Sequence, residues 1–564
     1  MCGILCNICY SKCNKRKLPD QSIIQKIKNR GPDSMQEIRI EINGVSIEFY
    51  GAVLWMQGPQ PTIQPVENDR GILLYNGDIF DEQWDSNRSD TDQIMEKLYK
   101  ASGNSVVEVI KEIQCLKGPF SLVYYNKQSN DLIFTRDRIG RNSLLLHKND
   151  ENIFISSVLG RRFECIEIPA THILKLNVIT NQIKLYSWDG LVEYQECIVD
   201  DWVESVKLVQ GLPDEEFSID ASISWNAGED DEIINYIKGA SLESNNKSIL
   251  IEKLLENAVI NGTVMEIIRN LDHSVKIRLE RQPNICKMCL LKDTPCDHSS
   301  VGVLFSGGLD CTIIAFLANK YVLKAQSIDL INIAFKKDDI SSYEVPDRLT
   351  GRQSLEELKK LCPHRKWVFK EINVPKDELS KYQESIIGDL VYPRQTILDE
   401  SLGSALWFAA KAKDSIMESP CRILFLGSGA DELFGGYTRH RNAFKRLGWS
   451  GLNKELQLDW SRISFRNLAR DNRVICDHGR QPRMPYLDEE FTEFVLSLKP
   501  WFKCFPSEYM GPGIGDKLFL RMAAYHLGLK NVALFPKRAL QFGSRIANKK
   551  EKGSDVSKTF LNVE

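Results

Sequence analysis

No apolar run in the 564-residue chain reaches the roughly 18 residues that a membrane-spanning helix needs. An excess of charge is also missing, since 73 basic residues face 76 acidic ones and the net charge is −3. The first absence argues against a membrane protein. The second removes any global attraction to nucleic acid or to an anionic membrane, which leaves small molecules and proteins as the expected partners, the proteins unidentified. Met1 to Tyr10 has no basic segment ahead of its apolar residues, and its lysines follow instead, so the signal-peptide pattern is lacking and the cytoplasm is the expected compartment. Fifteen cysteines in that setting are expected to be reduced thiols, metal ligands or catalytic groups rather than disulfides. The length exceeds what one hydrophobic core can serve, so about two to four domains are expected.

The chain opens Met1-Cys2-Gly3-Ile4. Removal of Met1 would leave Cys2 with a thiol near pKa 8.5 and an α-amine near 7.7–8.0 on one residue, a nucleophile that carries its own base. A small buried hydrophobe is the alternative reading of the same cysteine. If Cys2 acts as a nucleophile, no cleavable leader can precede it, which agrees with a cytoplasmic protein. Cys2, Cys6, Cys9 and Cys13 also show cluster-like spacing, but the apolar residues between them read as a strand.

Further on, Gly71 to Tyr75 reads as a strand that delivers Asn76-Gly77-Asp78. An Asn amide with a Gly N–H is a donor pair suited to an oxyanion, and Asn-Gly is equally the commonest hairpin turn. Ser89-Asp90-Thr91-Asp92 opens a helix with two acids in its first turn, a pattern that capping also satisfies. Strands are expected at Gly118 to Tyr125, Leu132 to Thr135 and Phe154 to Ser157.

An acidic, weakly periodic connector follows from about 190 to 245. Ile251, Leu254, Leu255, Ala258 and Val259 then carry helical spacing in the stretch Ile249 to Leu279, which predicts one long or two shorter amphipathic helices. Cys286, Cys289, Cys296 and His298 offer three thiols and an imidazole. They make either a tetrahedral zinc clip or a reduced exposed loop, the C-x-H end being tighter than usual zinc spacing.

Val301 to Phe305 is a buried-type strand running into Ser306-Gly307-Gly308-Leu309-Asp310 and a helix from Cys311. Strand, glycine turn and helix N-terminus together aim several N–H groups at one anion, a phosphate cradle without the Gly-Lys-Ser/Thr of a Walker A loop. Strands at Ile328 to Phe335, Trp367 to Ile372 and Ile423 to Leu426 alternate with helices at Ser354 to Leu361 and Gly403 to Lys411. That alternation predicts a doubly wound parallel sheet with ligands at the strands' carboxyl ends.

MCGI, RGPD, NGD, SDTD, GPFSLVYY and RDRIGRNSLLL, in that order, resemble the class II glutamine amidotransferase domain, an N-terminal-nucleophile hydrolase. SGGLD, GSGADELFGGY, RMPYLD and K-x3-R before FPKR resemble the synthetase domain of the asparagine synthetase family, in a divergent eukaryotic branch. The fold class implied combines α/β and α+β: an αββα Ntn-hydrolase-type domain over residues 2–190, then a connector with amphipathic helix and Cys-rich loop over 191–299. A doubly wound ATP-pyrophosphatase (HUP-like) domain spans 300–550, and a tail 551–564.

The resemblance implies glutamine, ATP with Mg²⁺, and aspartate or another carboxylic acid as ligands. Cys2 would release ammonia from glutamine, Asn76 and Gly77 would hold the oxyanion, and Asp78 and Asp90 would bind the glutamine amine. Ser306, Gly307, Gly308, Asp310, Gly429 and Asp431 would bind ATP, Asp310 and Asp431 its Mg²⁺, and Lys517 would stabilise charge during adenylation. The implied activity is a glutamine-hydrolysing, asparagine synthase-like ligase. An AMP-forming ligase with another acid, and a nonenzymatic partner-binding descendant, are the alternatives. Three departures stand out: Asp78 where the family has Glu, no arginine in Tyr50 to Trp55, and Ser428 where asparagine synthetases have Glu.

Overall fold

The computed structural model describes residues 2–10, 20–149, 151–188, 193–197, 231–547 and 552–560, apart from 245, 284, 290–295, 339 and 511–512. Cys13 and most of the acidic connector, residues 198–230, lie outside them.

Alternation sets the first layer. In the strand Gly3–Cys9, Ile4, Cys6 and Ile8 enter one buried cluster while Leu5 enters another, the period-2 pattern of a strand covered on both faces. Six strands form its sheet, in the order Ile166–Glu167, Leu145–Lys148, Asn152–Ser156, Gly3–Cys9, Val45–Val53 and Ser34–Ile42. A second antiparallel sheet runs Glu193–Cys197, Gln182–Ser187, His172–Asn177, Asp131–Arg136, Phe120–Asn126, Gly71–Gly77 and Val66–Glu67. Ile72, Leu74, Val123 and Phe134 of this sheet meet Ile4, Ile47 and Phe49 of the first in the core between them. Helices Asp90–Ser102 and Val106–Gln114 cover the outer face of the second sheet, and helix Gln21–Arg30 packs on the first. The result is the αββα sandwich.

The third sheet is wholly parallel, in the order Trp367–Val374, Ile328–Phe335, Val301–Leu304, Ile423–Phe425, Gln481–Arg483. Every residue of Ile328–Phe335 is buried, as a central parallel strand requires. The order reverses direction beside Val301–Leu304, so the loop after that strand opens at the switch point. Between the sandwich and this sheet the described chain forms three helices, Glu232–Glu243, Lys247–Glu256 and Ala258–Glu280, the last two separated at Asn257, whose side chain caps the third. The helix expected from Ser354 begins earlier, at Pro346, with proline in the first turn, where its missing N–H is no loss. Among the described residues no helix is long and apolar enough to cross a membrane.

The two halves share a core. Leu5, Ile23, Ile27 and Tyr50 lie in one buried cluster with Ile331, Phe335, Trp407 and Ile475. Buried charge is paired across the same seam: Glu167 accepts from Arg473 Nη1 at 2.5 Å and lies 2.9 Å from Arg136 Nη1, while Asp33 accepts from Arg422 Nη2 at 2.6 Å. Burial raises the Glu167 pKa, but the two guanidiniums outweigh it and hold the group below the ordinary glutamate range. Glu167→Ala strands two buried cations, and removal of one partner of a buried pair costs about 3–5 kcal/mol. The expected outcome is a clearly lower denaturant midpoint, read by tryptophan fluorescence; an unchanged midpoint contradicts the assignment.

Candidate active sites

Cys2 leads directly into a central strand and is 7 % exposed. Its backbone nitrogen donates to Asn76 Oδ1 at 2.8 Å, and its carbonyl accepts from Arg30 Nε at 3.4 Å. Gln64 Nε2 donates to Cys2 Sγ at 3.6 Å, as does the Leu54 N–H. Burial pushes the thiol above its ordinary value, opposed by the positive charge of the chain terminus.

Asn76 and Gly77 form no hairpin turn. They pair with Ser121 and Phe120 at the end of the strand Gly71–Gly77, and a Cβ on Gly77 would lie 2.4 Å from the Pro119 carbonyl. Asn76 Nδ2 donates to Ser121 Oγ at 3.2 Å. The next residue, Asp78, is fully buried, accepts from Gln57 Nε2 at 3.1 Å, and keeps its Oδ2 without a hydrogen-bond partner. Asp90, the first residue of its helix, accepts from Thr91 N and Ile79 N at 2.7 and 3.3 Å. Ser89 sits at the cap without a side-chain cap bond. Burial, and then the Asp78 charge, push Asp90 up to about 7.

In the stretch Tyr50 to Trp55, Val53 and Leu54 are buried apolar residues. The cations nearest this pocket come from elsewhere: Arg30 from the RGPD segment, and Arg483, whose Nη2 is 3.7 Å from Asp78 Oδ1. Burial lowers Arg483 to about 10, and its guanidinium is held by Gln481 Oε1 and by the carbonyls of Arg278 and Arg281. Sequence reading missed Gln57 and Gln64, and met Arg30 and Arg483 only within the RGPD and RMPYLD motifs, without a role of their own.

The second site lies where the parallel sheet reverses. Strand Val301–Leu304 ends, Ser306-Gly307-Gly308 turns, and helix Leu309–Ala318 begins with Gly308 as its cap. Gly307 has φ +75, and a Cβ there would sit 2.5 Å from Gly351 in the Pro346–Leu361 helix, so the loop must be glycine for both reasons. Ser354 Oγ donates to the Gly307 carbonyl at 2.6 Å and fixes the turn.

Lys517 Nζ donates to both Asp310 oxygens at 2.8 and 2.7 Å and lies 2.9 Å from Asp431 Oδ1; Lys537 Nζ is 3.3 Å from Asp431 Oδ2. Lys517 is not within its helix, as the sequence pattern suggests, but caps it at φ +54, a left-handed conformation that the ion pairs hold in place. Burial works against its charge, yet Asp310 and Asp431 outweigh burial and raise its pKa. Burial is outweighed at Asp431 as well, where the two lysines lower the carboxyl to about 2. Gly429 and Gly435, at φ +96 and +73, flank the short helix Ala430–Phe434 that presents Asp431.

These groups, with Ser306, Ser428 and Gly429, line a cavity of about 750 Å³. Arg394, Arg466 and Arg470, which sequence reading also missed, line it too. Two carboxylates beside a phosphate-type loop, both lining the same cavity, are hard oxygen donors suited to Mg²⁺.

The four candidate zinc ligands also come together. Cys286 Sγ and Cys289 Sγ lie 3.6 and 3.4 Å from His298 Nδ1, and one ligand atom from each of Cys286, Cys289, Cys296 and His298 falls within 4.8 Å of the others.

Against known families, the model described as asparagine synthase matches residues 296–450 and 444–550, and that of the glutamine amidotransferase domain matches 1–161. An asparagine synthetase domain-containing protein of Drosophila melanogaster is 38 % identical over 99 % of this chain and all of its own length. Asparagine synthetase domain-containing protein 1 of Homo sapiens is 34 % identical over 98 % of this chain and 97 % of its own. A putative glutamine-hydrolyzing asparagine synthetase of Methanocaldococcus jannaschii is 23 % identical over 80 % of this chain and 69 % of its own.

Asp90 yields a pH test. Between its ordinary value of 3.8 and its folded value of about 7, the folded protein holds a proton that the unfolded chain has lost. Its contribution to stability therefore falls as pH rises across that window. Asp90→Asn is neutral throughout, so its thermal midpoint should decline less between pH 5 and pH 7 than that of the parent; parallel declines would overturn the assignment.

Proposed function

Because this chain belongs to the asparagine synthase family and carries a glutamine amidotransferase domain ahead of the synthase domain, we propose that it is a glutamine-dependent, AMP-forming amide synthetase acting nominally on aspartate. One observation carries the reading. In a single buried charge cluster Lys517 bridges Asp310, on the phosphate-type loop, and Asp431, inside a cavity large enough for a nucleotide and a small acid.

The first half-reaction belongs to Cys2. With Met1 removed, the nitrogen now bonded to Asn76 Oδ1 is an α-amine, and it accepts the thiol proton. The thiolate attacks the glutamine carboxamide. Gly77 N–H and the Asn76 amide, turned from Ser121, receive the oxyanion. The α-ammonium returns its proton to the departing nitrogen, ammonia leaves, and water then hydrolyses the thioester to glutamate and restores the thiol. Asp78 and Asp90 supply the anionic end that the glutamine ammonium needs, and the unpartnered Asp78 Oδ2 is free to accept from it.

In the second half-reaction the acceptor carboxylate attacks the ATP α-phosphorus and pyrophosphate leaves. Ammonia then displaces AMP from the acyl-adenylate and gives the amide. Ser306, Gly307 and Gly308 present N–H groups to the departing pyrophosphate. Lys517, held cationic by two aspartates, faces the charge that develops there. Mg²⁺, when bound by Asp310 and Asp431, neutralises phosphate charge.

A second reading keeps the chemistry and changes the acid. Ser428 offers no charge at the acceptor position, whereas Arg394 and Arg466 line the same cavity and suit an acceptor with a further carboxylate, Arg470 being taken up by Asp399 and Asp471.

The test is AMP and pyrophosphate release by purified protein with ATP, Mg²⁺, a panel of carboxylic acids, and either glutamine or ammonium. Aspartate should support release. Cys2→Ala should abolish the glutamine-driven reaction and spare the ammonium-driven one, while Lys517→Ala should slow both by about 10²-fold or more. Mass analysis should find Met1 removed, and its retention rules out the Cys2 mechanism. If another acid alone works, the second reading stands. Should no acid yield AMP, the chain is a nonenzymatic, partner-binding descendant.

A further inference from the structure

We propose that Cys286, Cys289, Cys296 and His298 bind one zinc ion as a structural clip between the helix Ala258–Glu280 and the strand Val301–Leu304. Neither the amidotransferase chemistry nor the synthetase chemistry uses these residues.

Geometry selects a single small ion. A zinc ion with Zn–S near 2.3 Å and Zn–N near 2.0–2.1 Å places tetrahedral sulfur and nitrogen ligands about 3.6 Å apart. The two sulfur–nitrogen separations here are 3.6 and 3.4 Å, and all four ligand atoms fall within 4.8 Å. An iron–sulfur cluster would set several iron and sulfide atoms between its ligands and spread them further. Three thiolates with one imidazole are the soft donor set that suits zinc.

The tight Cys296-x-His298 spacing is resolved by the histidine atom used. Nδ1, the ring nitrogen nearer the backbone, faces the two thiols. A short reach is enough. The ring itself is exposed, so Nε2 can keep its proton toward solvent while the Nδ1 lone pair points inward.

The surrounding backbone favours thiolates. Met288 N–H donates to Cys286 Sγ, and the N–H groups of Cys286 and His298 donate to Cys296 Sγ. N–H···S bonds of this kind orient ligands and stabilise their charge. The turn is closed by Cys289 N donating to the Cys286 carbonyl at 3.3 Å, and the two thiols it brings together are buried.

Four protein ligands leave no open position, so the site is structural. Binding displaces the three thiol protons and keeps the imidazole neutral, which leaves the site with one net negative charge. Its location gives it a task. Arg281, five residues ahead of Cys286, donates to the Asp81 and Trp84 carbonyls beside the amidotransferase pocket. Lys287 N donates to the Pro420 carbonyl at 2.8 Å, and Gln326 Nε2 to the Cys296 carbonyl at 3.3 Å. The clip therefore ties the segment that touches one site to the strand that opens the other.

Elemental analysis of full-length protein, purified with trace zinc and without chelator, should find about one zinc per chain. Cys286→Ser with Cys289→Ser should reduce this at least tenfold. His298→Cys, which keeps four ligands, should retain zinc, whereas His298→Ala should weaken its hold against a chelator. Cobalt(II) added to metal-free protein should give the intense visible absorption of tetrahedral cobalt thiolate. Parent protein holding less than about a tenth of an equivalent of zinc, or a different metal at stoichiometry, overturns the proposal without need of any variant.

Discussion

Burial of guanidinium groups at the seam between the sandwich and the parallel sheet is the constraint on which the rest of the structure depends. A charge taken out of water is costly unless every donor meets an acceptor. Arg30, 1 % exposed, meets most of this demand by donating Nε to the Cys2 carbonyl on one side and Nη2 to Asn472 Oδ1, 2.8 Å away in the other half, while its Nη1 is left without a hydrogen-bond partner. Arg141 reaches the Leu487 carbonyl and Glu489 across the seam, and beyond the sandwich Arg278 pairs with Asp488 at 2.8 Å. The acceptors across the seam are backbone carbonyls, an amide and carboxylates, so the halves have little freedom to slide. Cys2 is thus positioned partly by a residue more than 400 positions away in sequence.

That rigidity extends into both pockets. Arg483 stands at the end of the last parallel strand, is held by the Arg278 and Arg281 carbonyls, and comes within 3.7 Å of Asp78. Two residues on, the Pro485 carbonyl accepts from Ser274, and Tyr486 donates to the Asp310 carbonyl at 3.2 Å. A segment of four residues therefore touches the acidic group of one pocket and the phosphate-type loop of the other. Its rigidity follows from satisfied polar contacts as much as from apolar packing.

Legibility in sequence followed the range of the forces involved. Ile328–Phe335 was readable to the residue because a strand buried on both faces is rich in apolar residues, here all but Asp329 and Asn332, and the glycine turn after Val301–Leu304 announced its cradle through local chemistry. Asn76-Gly77 favours a hairpin locally, but pairing with Ser121 and Phe120 won. The start of the Pro346–Leu361 helix was hidden because Asp347, Arg348 and Gly351 look like a polar loop. They are buried in service of Asn332 and the Gly307 turn, partners far off in sequence. Lys517 carried no local sign of its left-handed backbone, which two distant aspartates sustain. The residues that the sequence singled out at each place come together in space; the roles of the arginines around them were not legible, since their meaning lies in tertiary pairing.

The two sites also differ in electrostatic balance, and the difference orders their chemistry. At the second, Lys517 and Lys537 offset Asp310 and Asp431, so the cluster is near neutral before any ligand arrives. A polyphosphate brings negative charge there, which the loop N–H groups and bound cations can meet. At the first, Asp78 and Asp90 lie near a buried thiol, with Arg483 3.7 Å from Asp78 in place of a lysine bridge, and the two carboxylates oppose the thiol's ionisation, as burial does more strongly. A ligand ammonium between those carboxylates would cancel their field at Cys2 and lower the thiol pKa. On the proposed reaction, the glutamine amine then does more than anchor the substrate: it relieves the repulsion that keeps the thiol protonated, so the nucleophile is armed chiefly when its substrate is in place.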